Sequence, residues 1–138
     1  MADTNQNVAA EETAVQEIFH LWSKAVRDHD LDAIRANHHP DMLMFDVPLP
    51  FLSQGIDAYM DTWKLFYAYA PKPVKFDFDD VHIHAGSDVA FATATGHCQT
   101  IEPDGQAIPL DFRLSMGFRK IDGRWLIVHE HHSLPAVS

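Results

Sequence analysis

The sequence holds a single cysteine, Cys98, so no disulfide can form within the chain. A reducing compartment, the cytoplasm, is the expected location. Basic residues are scarce: 10 Lys and Arg stand against 20 Asp and Glu, for a formal charge of −10. Phosphate backbones are held by clustered Lys and Arg, so this balance argues against a nucleic-acid partner and against an anionic membrane surface. No apolar run approaches the roughly 18 residues of a membrane span. The polar start, Met1 to Ala10, lacks the basic and apolar segments of a signal peptide. Glycine is also sparse, and there is no phosphate-binding loop, no Gly-x-Ser-x-Gly elbow and no dinucleotide fingerprint. No cofactor is expected.

What is present is the material of one α+β domain. The length of 138 residues fits one domain, and a 46% hydrophobic content is enough to fill its core. Ten histidines make the charge shift sharply below about pH 6.5. Residues 1–10 are expected to be a disordered tail and residues 11–138 the domain. From Glu11, Val15, Ile18, Trp22 and Ala25/Val26 recur at helical steps. Asp30 can cap a short second helix, Leu31 to Ala36. A third helix is expected from about Ile56 to Tyr69, ended by Pro71 and Pro73.

The remainder reads as strand. Met42 to Val47 forms a short strand before the third helix. Val74, Phe76 and Phe78 alternate with polar residues, and then the phase slips to Val81 and Ile83, which predicts a β-bulge near Asp79–Asp80. Val89 to Ile101 follows, with Ala90, Ala92, Ala94 and Gly96 on one face. Leu110 to Ile121 and Trp125 to Ser133 are joined by the hairpin turn Asp122-Gly123. Three helices need a sheet face to cover, and a long bulged sheet curling over them leaves a cone-shaped hollow. The last two strands are apolar on both faces, so a homodimer through the outer sheet face is expected.

The close of the chain is the most distinctive segment. It runs Phe112-Arg113-Leu114-Ser115, then Arg119-Lys120-Ile121-Asp122-Gly123-Arg124-Trp125, then His129-Glu130-His131-His132-Ser133-Leu134-Pro135. It resembles the SnoaL-like pattern of an Arg-x-Ser/Thr strand, a Lys-x-Asp-Gly-x-Trp hairpin and a His-x-His-x-Ser-x-Pro close. The element order resembles the NTF2-like superfamily as a whole, which includes ketosteroid isomerases, polyketide cyclases and a kinase association domain. The resemblance implies an NTF2-like cone: three N-terminal helices packed on a curved, bulged, mainly antiparallel sheet around a pocket. It bears weakly on function, because this fold hosts enzymes and non-enzymes alike.

Asp46 is the first candidate for chemistry, an acid inside the apolar strand Met44-Phe45-Asp46-Val47-Pro48. In the ketosteroid isomerases that this region resembles, the general base is an aspartate in a strand-Asp-Pro context. Desolvation would raise such a carboxyl toward the range a proton-abstracting base needs. The isomerase oxyanion pair is not matched: Trp22 falls near the place of its tyrosine, and Arg113 or Leu114 near that of its acid. Arg113 and His97 are the remaining candidate catalytic groups. The resemblance to the kinase association domain sets His97, Arg113 and His132 at pocket positions, which implies an anionic or carbonyl-bearing ligand. The alternation of Arg113 with Phe112 and Leu114 argues the other way, toward solvent or a partner.

Trp22, Phe45, Trp63 and Tyr67 are candidate walls for a flat or apolar ligand. Glu130 and His132 share one face of the last strand with Leu126 and Val128, and His129 and His131 share the other with Trp125 and Ile127. Glu130 and His132 are therefore expected in the pocket. His82/His84 and His129/His131 are pairs only, short of the three or four ligands of a zinc site, and no metal is expected. The expected activity is proton transfer next to a carbonyl in a small apolar, carbonyl- or carboxylate-bearing molecule, of isomerase, cyclase or dehydratase type. The alternative is a non-catalytic dimeric ligand-binding or association domain.

Overall fold

A computed structural model describes residues 4–136. Helix α1 spans Thr4–Arg27, α2 Leu31–Ala36 and α3 Ile56–Tyr69. The strands are β1 His38–Phe45, β2 Ser53–Gln54, β3 Phe76–Ala85, β4 Val89–Ile101, β5 Ala107–Ile121 and β6 Arg124–Ser133. Helix α1 begins well before Glu11, so residues 4–10, expected as tail, are helical. That stretch holds no Gly or Pro and includes Ala9 and Ala10, among the strongest helix formers. Residues 1–3 of the expected tail lie outside the described residues.

Val15, Phe19, Trp22 and Val26 form the buried stripe of α1 at three- and four-residue steps. Asp30 caps α2 by accepting the Ala33 N–H at 3.1 Å. On α3 the buried face is Tyr59, Met60 and Trp63. Lys120 on β5 reaches Glu11 at 2.9 Å and ties the far end of α1 to the sheet.

All six strands form one sheet in the order β2-β1-β6-β5-β4-β3. The pairings are antiparallel except β1 with β6, which is parallel. This is the α+β, helix-covered curved sheet expected from the sequence. Its concave face carries Ala90, Ala92 and Ala94 on β4 and Phe112, Leu114, Met116 and Phe118 on β5, all buried. Trp22, Trp63 and Phe76 meet edge to face above it, in the arrangement aromatic quadrupoles favour.

Among the described residues the sheet's register shifts in three places, once on β1 between His38 and Leu43 and twice at single-residue bulges. On β3 the register jumps between Asp79 and His82, with Asp80 in the left-handed region at φ 52°, where the sequence phase slipped. The second bulge was not foreseen. Gly117 faces His129 but Phe118 faces Ile127, so Val128 is an extra residue in β6. This corrects the face assignment for the last strand. Trp125 and Ile127 point into the core before the bulge, and Glu130 and His132 point to the same side after it.

Candidate functional site

A cavity of about 350 Å³ opens between α3 and the concave face of the sheet. Its walls are the α3 side chains Trp63, Leu65, Phe66 and Tyr69, with Phe76, Leu110 and Phe112 from the sheet. Exposed Val47, Pro48 and Tyr69 mark its mouth. Against these apolar walls stand two titratable side chains, Asp46 and His132. Cys98 also lines the cavity, but burial, aided by the charges of Asp111 and Asp46, pushes its thiol up to about 11, so it stays protonated.

Asp46 reaches the cavity because it continues the inward phase of Met42 and Met44 past the end of β1. Its Oδ1 accepts the Val47 N–H at 2.8 Å. Burial raises its carboxyl above the ordinary range, against the opposing pull of His132 and that hydrogen bond. The Nδ1 atom of His132 lies 3.9 Å from Asp46 Oδ1. The His132 ring stacks on Phe112, with centroids 5.2 Å apart, and takes the edges of Trp22 and Trp63.

Behind His132 lies a buried polar chain. Glu130 is fully buried and accepts from His132 Nε2 on Oε1 at 3.0 Å. Its Oε2 accepts the Tyr59 hydroxyl at 2.6 Å and contacts His38 Nε2. Tyr59 in turn accepts the Trp22 N–H at 3.1 Å, and His38 Nδ1 donates to the Ile34 carbonyl at 2.7 Å. Burial alone would raise the Glu130 carboxyl. The hydrogen bonds and charge of His132 and His38 outweigh it and hold the group well below the carboxylate range.

The expected site residues divide between the two faces of the sheet. Asp46, Trp63 and His132 line the cavity, and Glu130 stands directly behind His132. Trp22 is fully buried behind the wall rather than on it, and donates to Tyr59. Tyr67 is turned to the other side of α3, where its hydroxyl donates to the Val26 carbonyl and its ring stacks on His29. Phe45 packs on His129 and His131 on the outer face, because its neighbours Met44 and Asp46 take the inner one.

Arg113 and His97 are both placed away from the cavity. Arg113 is exposed on the outer face and donates to Ser133 Oγ at 3.1 Å, as its alternation with buried Phe112 and Leu114 requires. His97 sits between Asp79 and Asp111, 2.8 Å from each, on the same outer face. Its neighbours Gly96 and Cys98 fill the inner one.

Two members of the site escaped the sequence reading. His38 lies at the junction of α2 and β1, where no periodicity singles it out. Tyr59 was legible only as a core aromatic, since its hydroxyl partner is 71 residues away. Among the described residues, no three His, Cys, Asp or Glu side chains cluster to hold a metal ion. No helix among them is long and apolar enough to cross a membrane.

These features define a class: a helix-covered curved sheet with a half-enclosed apolar cavity and an acid–histidine pair in its wall. The family pattern of the SnoaL-like domain matches residues 15–137, and the chain belongs to that family within the NTF2-like superfamily. An NTF2-like protein of unknown function from Pseudomonas putida KT2440 is 28% identical. The match covers 92% of this chain and 88% of that one, with a TM-score of 0.81. An NTF2-like superfamily protein from Salmonella enterica is 18% identical, covers 94% of each chain and has a TM-score of 0.80. A ketosteroid isomerase-like protein from Erwinia carotovora is 16% identical over 91% of this chain and 98% of that one, with a TM-score of 0.74, and shares the fold alone. No curated protein matches the chain.

Proposed function

We propose that this protein is a cofactor-independent enzyme that moves a proton next to a carbonyl in a small neutral apolar molecule. One observation carries the reading: Asp46 and His132 meet 3.9 Å apart in the wall of an otherwise mostly apolar cavity. Asp46, with its raised carboxyl, accepts the proton from carbon. The C–H electron pair moves to the carbonyl oxygen. His132 stabilises that oxygen from Nδ1, since Arg113 and His97 both lie on the outer face. Return of the proton to a second carbon completes an isomerisation. Alternatively, the enolate re-forms the carbonyl and a C=C bond as a β-hydroxyl leaves, taking the proton held by Asp46 and departing as water, which completes a dehydration. No Lys or Arg lines the cavity, which favours a neutral carbonyl compound over a carboxylate.

The test is α-proton exchange in D2O followed by proton NMR, with a panel of neutral cyclic and aryl ketones and β-hydroxy ketones. Exchange or elimination that saturates with substrate and is lost in Asp46→Asn supports the reading. Binding without exchange by the wild type favours the second reading, a non-catalytic binding domain. The outward turn of Arg113 and His97 is what keeps that alternative in play.

We also propose a homodimer through the outer sheet face. Exposed Phe91 and Val89 lie there with Asp79 and Asp111 on one side and Arg119 on the other, a pattern that a two-fold axis makes self-complementary. Light scattering should give twice the chain mass, and Phe91→Asp should halve it. A monomeric wild type would refute the dimer.

A further inference from the structure

We infer that Glu130 is a positioning residue that confines the exchangeable proton of His132 to the one ring nitrogen facing the cavity. The argument rests on hydrogen-bond arithmetic. A carboxylate accepts and does not donate. Every neighbour of Glu130 is a donor: Tyr59 and His38 at Oε2, His132 Nε2 at Oε1. Tyr59 has its own oxygen occupied by the Trp22 N–H, so its proton is committed to Glu130. His38 Nδ1 faces a carbonyl, so it holds a proton, and Nε2 faces the carboxylate. The acceptor is thus fixed from three sides with no solvent to substitute for any of them.

The consequence falls on His132. Its Nε2 keeps a hydrogen in every protonation state, because a bare lone pair there would oppose the buried carboxylate. The proton that comes and goes is the one on Nδ1. That atom faces Asp46 from the cavity wall. A flip of the ring would put a carbon against Glu130 in place of Nε2 and lose that hydrogen bond. The groups facing the ring are Glu130 on β6, Asp46 at the end of β1, Trp22 on α1, Trp63 on α3 and Phe112 on β5. Only the first two are charged. The inference deepens the proposed proton-transfer reading and rests on it for its catalytic meaning, since Nδ1–H is then the donor to the substrate oxygen and bare Nδ1 the acceptor of its proton.

The test separates the two claims. Nitrogen-15 NMR of the ring in the full-length protein, without any substrate, should show the neutral form of His132 protonated at Nε2. Glu130→Gln should mix the tautomers, because the amide offers a donor as well as an acceptor. A wild-type ring protonated at Nδ1 overturns the inference, whatever the turnover. So does a Glu130→Gln ring that keeps the wild-type tautomer. Should Glu130→Gln fail to fold, the wild-type tautomer still decides. Where the ketone panel gives a substrate, Glu130→Gln should lower kcat by about 100-fold, the low end of what a positioned acid–base group contributes, with KM little changed. If the tautomer is as stated but no ketone reacts, the positioning stands and the enzymatic reading falls.

Discussion

Tyr59 and Glu130, 71 residues apart in the chain, meet at 2.6 Å in a space from which solvent is excluded. The bond ties α3 to β6 and closes a chain that runs from Trp22 to the cavity wall. Tyr59→Phe should remove a hydrogen bond to a charged acceptor and leave the Trp22 N–H buried without a partner. Each loss is worth about 1–3 kcal/mol. The expected destabilisation is about 3 kcal/mol, read as a lower urea midpoint at unchanged slope. A change below about 0.5 kcal/mol would show that the bond is not formed.

Acid should dismantle the same chain. The folded Glu130 carboxyl is held down to about 2, below its unfolded value near 4.5. Its contribution is therefore complete above about pH 4.5 and is lost as the pH falls through about 2. Thermal melts across that interval should fall more steeply for the wild type than for Glu130→Gln.

Asp46→Asn should bind apolar ketones as the wild type does and catalyse nothing. It should also be slightly more stable near neutral pH, by about 0.5–1 kcal/mol, a common cost of functional groups. Burial raises the Asp46 carboxyl, so its ionised form destabilises the fold, and stability falls as the pH rises through the raised value. The difference between the two proteins should vanish in acid. Equal stability at every pH would remove this account of Asp46.

Gly96 faces the ring of Phe112, and a Cβ at this position would lie 2.3 Å from its Cζ. Gly96→Ala must push that ring, and the ring is the surface on which His132 stacks. Overpacking of this kind costs about 1–3 kcal/mol. Ligand affinity should fall with it, while Ala90→Gly, further along the same inner face, should leave affinity unchanged. Calorimetric titration with one ketone distinguishes the two.

His97 should matter for how stability depends on pH and not for the cavity. Hydrogen bonds to Asp111 and Asp79 raise its ring above the ordinary histidine value. Its contribution is present below about pH 6.5 and lost as the pH rises through the raised value. His97→Gln should lack that alkaline decline and retain full turnover. Loss of turnover would return His97 to the site.

The sequence by itself determined the class of fold. Helical spacing in α1 and α3, the slip of phase at Asp79–Asp80 and the turn at Asp122-Gly123 are local signals, and local physics decides them. For Arg113, alternation with Phe112 and Leu114 pointed outward while the family resemblance pointed to the pocket; for His97 only the folded sheet decided the face. Tertiary structure alone decided the rest. The extra residue at Val128 puts Ile127 and Glu130 on one side of β6, and no periodicity announces it because the surrounding strand is apolar on both faces. Tyr59, His38 and Glu130 come from three separate elements. Their shared protons exist only where folding removes water and leaves each donor a single acceptor.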